Sequence, residues 1–253
     1  VLSANTKFEN VAFSDLSGDN YYISANNHDL IIGRGCTGTV NIVRGMGGNT
    51  SEALDYTIRL ESGVFNYVAF IAGIAGGTAS GEMTLSGTNN HVTGVLGCDY
   101  DRAVEKSTTN YNYTTAPLRV TNSMSLGAQP KLTNQTESEI FNVTVKSGYF
   151  GSGNSISDGG AARSFYIGLA NEYNTGKRKL TIEGGRFNLS IAGGIDVGNT
   201  SDNAVIVRMK GGEVAGSIYG AAAHAAATGG RRFIFTGGTV GGWIAGGCNG
   251  TDR

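Results

Sequence analysis

Leu180-Thr-Ile-Glu-Gly-Gly-Arg-Phe-Asn-Leu-Ser-Ile-Ala-Gly-Gly194 sets a pattern that two later stretches repeat without a gap. They are Val207-Arg-Met-Lys-Gly-Gly-Glu-Val-Ala-Gly-Ser-Ile-Tyr-Gly-Ala221 and Phe233-Ile-Phe-Thr-Gly-Gly-Thr-Val-Gly-Gly-Trp-Ile-Ala-Gly-Gly247. The first glycine of each pair falls at Gly184, Gly211 and Gly237, steps of 27 and 26 residues. Self-similarity at such a period marks a repeat architecture. Leu180 and Ile182 alternate with Thr181 and Glu183, a strand pattern with one face in and one out. The glycine pair allows a corner with positive φ and close backbone approach. A strand this short cannot bury an apolar face alone, but stacked copies can, at about 4.8 Å per coil. Ile191, Ile218 and Ile244 are expected to form one internal ladder, and Phe187, Val214 and Val240 another.

Weaker copies lie upstream. Val143-Thr-Val-Lys-Ser-Gly-Tyr-Phe150 and Ile58-Arg-Leu-Glu-Ser-Gly-Val-Phe65 keep the alternation with Ser in place of the first glycine, and Met83-Thr-Leu-Ser-Gly87 reads as the start of another copy. The expected fold is therefore all-β: a right-handed, single-stranded parallel β-helix (solenoid) with coils of about 25–27 residues. About ten such coils would make a rod of roughly 50 Å. A helical solenoid would need a 3.6-residue apolar period, and propeller blades run to about 40–50 residues, so neither fits. The repeat is faintest over 1–55, where a sandwich is the alternative, although Val40-Asn-Ile-Val-Arg-Gly45 suggests that the solenoid reaches there too. Residues 1–253 read as one β-helix segment of a larger protein, with 99–139 as an irregular insertion. That insertion holds both prolines, Pro117 and Pro130, and the run Ser107-Thr-Thr-Asn-Tyr-Asn-Tyr-Thr-Thr115.

Forty-one glycines with two prolines and no three-residue period exclude collagen. A net charge of −1 supplies no field for steering nucleic acid or an anionic membrane, so no basic-patch partner is expected. No run of 18 apolar residues occurs, so direct membrane insertion is not expected either. Cys36, Cys98 and Cys248 lie in glycine-rich contexts without metal-site spacing and read as small buried residues at turns; Cys36–Cys98 or Cys98–Cys248 is the bridging alternative.

Chemistry is harder to find. Gly33-Arg-Gly-Cys-Thr-Gly38 matches a dinucleotide fingerprint, but an alternating β pattern follows it where a helix should start. His28, His91 and His224 are scattered. The best carboxylate cluster is Asp99-Tyr-Asp-Arg102: on a strand, Asp99 and Asp101 would share a face beside Arg102. That trio is the catalytic candidate if the chain is a β-helical polysaccharide lyase or glycoside hydrolase, with calcium as the ion a lyase would add. Tyr111 and Tyr113 would share a face of an extended loop, and Trp243, aligned with Ser190 and Ser217, should point outward. Aromatic rings of this kind suit the C–H faces of sugars, so all three are candidate ligand-binding residues.

The pattern Gly-Gly-x-[Val/Phe]-x-x-x-Ile-x-Gly-[Gly/Ala] resembles the glycine-rich repeats of adhesin-like surface proteins of gut Bacteroidetes and similar bacteria, which carry a pectin-lyase-like β-helix. The likeness is good over 180–250, fair over 57–98 and 143–156, and absent from the insertion. It implies export to the extracellular space or outer cell surface, and a non-enzymatic adhesin or stalk that contacts glycans or surface proteins. It supplies no catalytic residues. A subunit of a larger surface assembly is the further alternative, since solenoid ends favour such contacts.

Overall fold

A computed structural model of the chain describes residues 1–16, 22–46, 52–71, 90–107, 113–125, 139–151, 164–166, 177–193, 205–220 and 230–246. Every strand pairing among them is parallel, and the pairs lie far apart in sequence. This is a parallel β-helix of eight coils with three faces. First-face strands are Thr6–Phe8, Leu30–Ile32, Asp55–Leu60, His91–Leu96, Glu139–Val145, Lys177–Ile182 and the leading halves of Val205–Val214 and Arg231–Val240. Thr37–Met46, Gly63–Ile71 and Leu118–Ser125 each run through the second face and into the third.

Coil length is not constant. First-face register runs Thr6↔Leu30, Leu30↔Ile58, Ile58↔Gly94, Val92↔Phe141, Val143↔Leu180, Leu180↔Val207 and Val207↔Phe233, giving steps of 24, 28, 36, 49, 37, 27 and 26 residues. On this face the period of 25–27 therefore holds only over coils 6–8, and the first two steps, 24 and 28, fall just outside it. Longer connections in the middle reduce the expected ten coils to eight, a stack of about 34 Å. Leu60 pairs with Leu96, so the corner of coil 4 is at Gly97-Cys98 and not at Gly87; Met83–Gly87 lies outside the described residues. The faint region does not form a sandwich: coils 1 and 2 belong to the same rod. The insertion is also less irregular than expected, because Leu118–Ser125 supplies the second and third faces of coil 4.

Both expected ladders are present. Ile191, Ile218 and Ile244 are in register, as are Phe187, Val214 and Val240. The second extends upstream through Phe150, Val120, Phe65 and Val40, all buried. The rings of Phe150 and Phe187 stack at 4.5 Å and 15°, so like packs on like. Burying each of these side chains contributes about 1.5–3 kcal/mol. One gap in the first-face row, Gly94, is filled from across the lumen: a Cβ there would sit 2.3 Å from the ring of Phe70.

The corners have their own ladders. Asn66 Nδ2 donates to Asn41 Oδ1 at 2.8 Å, and Thr121 Oγ1 donates to Asn66 Oδ1 at 3.2 Å, linking coils 2 to 4. Ahead of the first face, Asn5, Asn27 and Asn90 accept backbone N–H groups of Asp29, Asp55 and Leu54. At the glycine pairs Gly185, Gly212 and Gly238 adopt φ of 91°, 82° and 90°. A Cβ on Gly212 would lie 2.9 Å from the backbone of Gly184 and Gly185, which is why this corner needs glycine.

Candidate functional site

Among the described residues one helix interrupts the rod. α1 (Asp99–Ser107) rises from the corner of coil 4, with Asp99 and Asp101 in its first turn and Lys106 in its last, both favourable to the helix dipole. Arg102 N donates to Cys98 O at 3.1 Å, so Cys98 caps the helix. Its thiol donates to Asp101 Oδ2 at 3.0 Å, while its own N–H is taken by Ser147 Oγ at 3.1 Å. The arrangement differs from a capping box, because Asp101 accepts the thiol while Ser147 takes the N–H that the third helical residue would otherwise accept. The strand reading of Asp99-Tyr-Asp-Arg102 is thereby corrected. Residues two apart on a helix point to different sides: Asp99 is exposed, whereas Asp101 is buried as a structural cap.

α1 lies along the rod and straps several coils together. Arg34 of coil 2 covers the Tyr100 ring at 4.4 Å. Lys146 of coil 5 reaches Asp99 at 2.6 Å, and Arg102 meets both Asp99 (3.1 Å) and Glu183 of coil 6 (3.0 Å). Lys210 of coil 7 closes on Glu183 at 3.1 Å. At the far end both oxygens of Glu105 accept the Gly185 N–H, each at 3.0 Å. Gly184 permits the approach, since a Cβ there would sit 3.1 Å from Arg102 Cγ and 2.2 Å from Lys146 O.

Beside α1 the second face carries an outward row. Arg119, Tyr149, Arg186, Glu213 and Thr239 are in register on successive coils, about 4.8 Å apart. Tyr113 packs edge-on against Tyr149, with centroids at 5.6 Å and planes at 79°, and Arg119 lies over the Tyr113 ring at 5.3 Å. Arg186 and Glu213 form an ion pair at 3.8 Å. Burial pushes the Glu105 carboxyl up to about 6, opposed by the Gly185 N–H and Arg186 and reinforced by Glu213. Burial also raises the Tyr149 phenol and, with help from Asp101, the Cys98 thiol. The hydrogen bond from Lys146 holds Asp99 below its usual range. The shelf thus holds one carboxyl, Glu105, raised to about 6 and hydrogen-bonded to Gly185 next to the Arg186–Glu213 ion pair.

The expected site residues do not converge. Tyr113 packs on the rod, and Tyr111 lies outside the described residues. Trp243 is 77% exposed on coil 8 beside the exposed Ile244 and Phe235. Asp99 and Arg102 are held in salt bridges, away from Trp243's coil. Cys36 and Cys98 are buried free thiols, and Cys248 is outside the described residues, as is His224. Gly33–Gly38 forms a corner leading into the strand Thr37–Met46. Among the described residues no group of three or more His, Cys, Asp or Glu gathers as a calcium or other metal site would need. Glu105, Tyr149, Arg186 and Glu213 escaped the sequence reading, although one signal was there: Arg186, Glu213 and Thr239 each follow an aligned glycine pair. No family model, curated protein or solved structure matches the chain.

Proposed function

We propose that the chain is part of a non-enzymatic adhesin or stalk, exported to the bacterial surface, whose flank contacts glycans or partner proteins. The observation that carries this reading is how the outward carboxylates are used. Glu9, Glu61, Asp99, Glu183 and Glu213 each sit 2.6–3.8 Å from a lysine or arginine, mostly on a neighbouring coil or at the same corner. Such pairs stiffen a rod and leave these acids poorly placed as free acid–base groups. The exposed Trp243 supplies an aromatic ring for the C–H face of a sugar. The test is retention of the protein on immobilised plant, host and microbial glycans, with Trp243→Ala and Tyr113→Ala alongside. Retention that weakens in Trp243→Ala supports the reading, and absence of retention on every glycan and on cell-surface extracts removes it.

A second reading draws on the shelf beside α1. Glu105, its carboxyl raised by burial to about 6, is hydrogen-bonded to Gly185 next to Arg186, and in a β-helical polysaccharide lyase or hydrolase it would be a better acid–base group than the Asp99–Asp101–Arg102 trio. Shortening of a polysaccharide that disappears in Glu105→Gln would establish it.

A further inference from the structure

Three cations share the outward side of one face. Most other described lysines and arginines have a partner: a carboxylate for Lys7, Arg59, Arg102, Lys146, Arg186 and Lys210, a ring for Arg34, Arg44 and Arg119, and a carbonyl for Arg231, while Lys177 and Arg178 are also engaged. Lys179, Arg208 and Arg232 have none among the described residues, and all three point outward from the first face of coils 6, 7 and 8.

Their arrangement is regular. Lys179, Ile206 and Arg232 form one register row, and Thr181, Arg208 and Ile234 the next. Cations and isoleucines therefore alternate as on a checkerboard, and Lys179 and Arg232 stand two coils apart, about 10 Å. Asn142 and Thr144 of coil 5 continue the same two rows with an amide and a hydroxyl. The described acid closest to these rows, Glu183, is held by Arg102 and Lys210. The whole chain carries a net charge of −1, so these positive side chains are a local segregation and not a reflection of composition.

We propose that the first face of coils 6–8 binds an acidic polysaccharide, a chain bearing carboxylates or sulfates along its length. This rests on the reading of the rod as a glycan-contacting protein and names the ligand class. Arginine presents paired donors to carboxylate or sulfate, while Ile206 and Ile234 offer apolar ground for the C–H faces of the sugar rings. Three cations on a flat sheet are too few for duplex DNA, whose binders neutralise about 6–10 phosphates. An anionic membrane surface calls for clusters of about 4–8 basic residues. Single-stranded nucleic acid is held by aromatic stacking, and these rows carry isoleucine instead.

The experiment is calorimetric titration of the protein with polygalacturonate, a sulfated glycosaminoglycan and neutral dextran, at low and high salt. It uses the parent chain, the triple variant Lys179→Gln/Arg208→Gln/Arg232→Gln, and Arg208→Gln alone should the triple variant fold poorly by circular dichroism. We expect an acidic chain to bind, salt to weaken it, and affinity to fall about three-fold per cation and about thirty-fold in the triple variant. Undiminished binding of acidic chains in the triple variant would overturn this site and leave the glycan-contact reading standing. Binding of dextran alone would overturn the ligand class. No binding to any polysaccharide would count against both. Tighter binding of duplex DNA or phosphatidylserine vesicles, lost in the triple variant, would reassign the face to a different polyanion.

Discussion

Replacing Phe187 by alanine should open a hole in the centre of the rod. Its side chain is fully buried, stacks on Phe150 at 4.5 Å and sits in register with Val214. Removing a buried ring costs about 3–5 kcal/mol in lost transfer energy and cavity formation. For a chain of this size each kcal/mol lowers Tm by about 2–4 °C, so a fall of roughly 8–16 °C is expected at about 4 kcal/mol. A solenoid adds a second requirement, because each coil contacts only its neighbours. Amide exchange should therefore speed up in coils 5 to 7, around Tyr149–Phe150, Arg186–Phe187 and Val214, and stay unchanged in coils 1 and 2. Phe187→Leu, which keeps most of the volume, should cost less than about 1.5 kcal/mol. Calorimetry and hydrogen-exchange mass spectrometry read both quantities. A loss below about 1 kcal/mol, or one spread evenly along the chain, would refute the ladder as the source of stability.

Other perturbations follow from the corners and from α1. Gly212→Ala places a Cβ 2.9 Å from the Gly184 and Gly185 backbone at φ 82°, and should cost about 2–4 kcal/mol by denaturant titration, whereas Gly246→Ala, with nothing within 4 Å, should stay within about 0.5 kcal/mol. Asn66→Ala breaks the link between Asn41 and Thr121 and should cost about 1–2 kcal/mol by the same measurement. Glu105 makes stability depend on pH. Its folded pKa of about 6 lies above the ordinary 4.5, so the folded chain holds the proton more tightly, and the resulting stability is present below pH 4.5 and lost as pH rises through 6. Discounted for solvent screening, the loss is about 1 kcal/mol, and Glu105→Gln should abolish it in melts taken across that window. Cys98, raised by burial and Asp101, should resist iodoacetamide at pH 8 in the folded protein and react once unfolded, as peptide mapping of labelled protein would show.

Sequence and structure agree where the repeat is ungapped. The Ile191–Ile218–Ile244 and Phe187–Val214–Val240 ladders could be read directly, because steps of 27 and 26 leave no freedom in register. Between Leu96 and Lys177 the connections grow to 49 and 37 residues per coil, and no spacing rule locates the next strand there. The 36-residue step from Leu60 to Leu96 has the same effect, so Met83–Gly87 reads as the start of a copy whose corner Gly97-Cys98 in fact supplies. α1 was misread for a different reason: Asp99-Tyr-Asp alternates like a strand. The same nine residues also carry an acidic first turn, Asp99–Arg102 at helical spacing and a terminal Lys106, and the Cys98 cap decides in favour of the helix. The shelf joins Glu105 to residues about 45–110 positions away, so no local motif could announce it. Net charge is silent for the same reason, since it averages over the faces and cannot show that Lys179, Arg208 and Arg232 share one of them.

A rod of the proposed kind should hold its ligands without cleaving them. The most direct test is the chain-length distribution of plant, host and microbial polysaccharides after incubation with the protein, with and without calcium. The account predicts every distribution unchanged, including that of any polysaccharide the protein retains. Shortening of one polymer, abolished in Glu105→Gln, would contradict it and make the shelf beside α1 an active site.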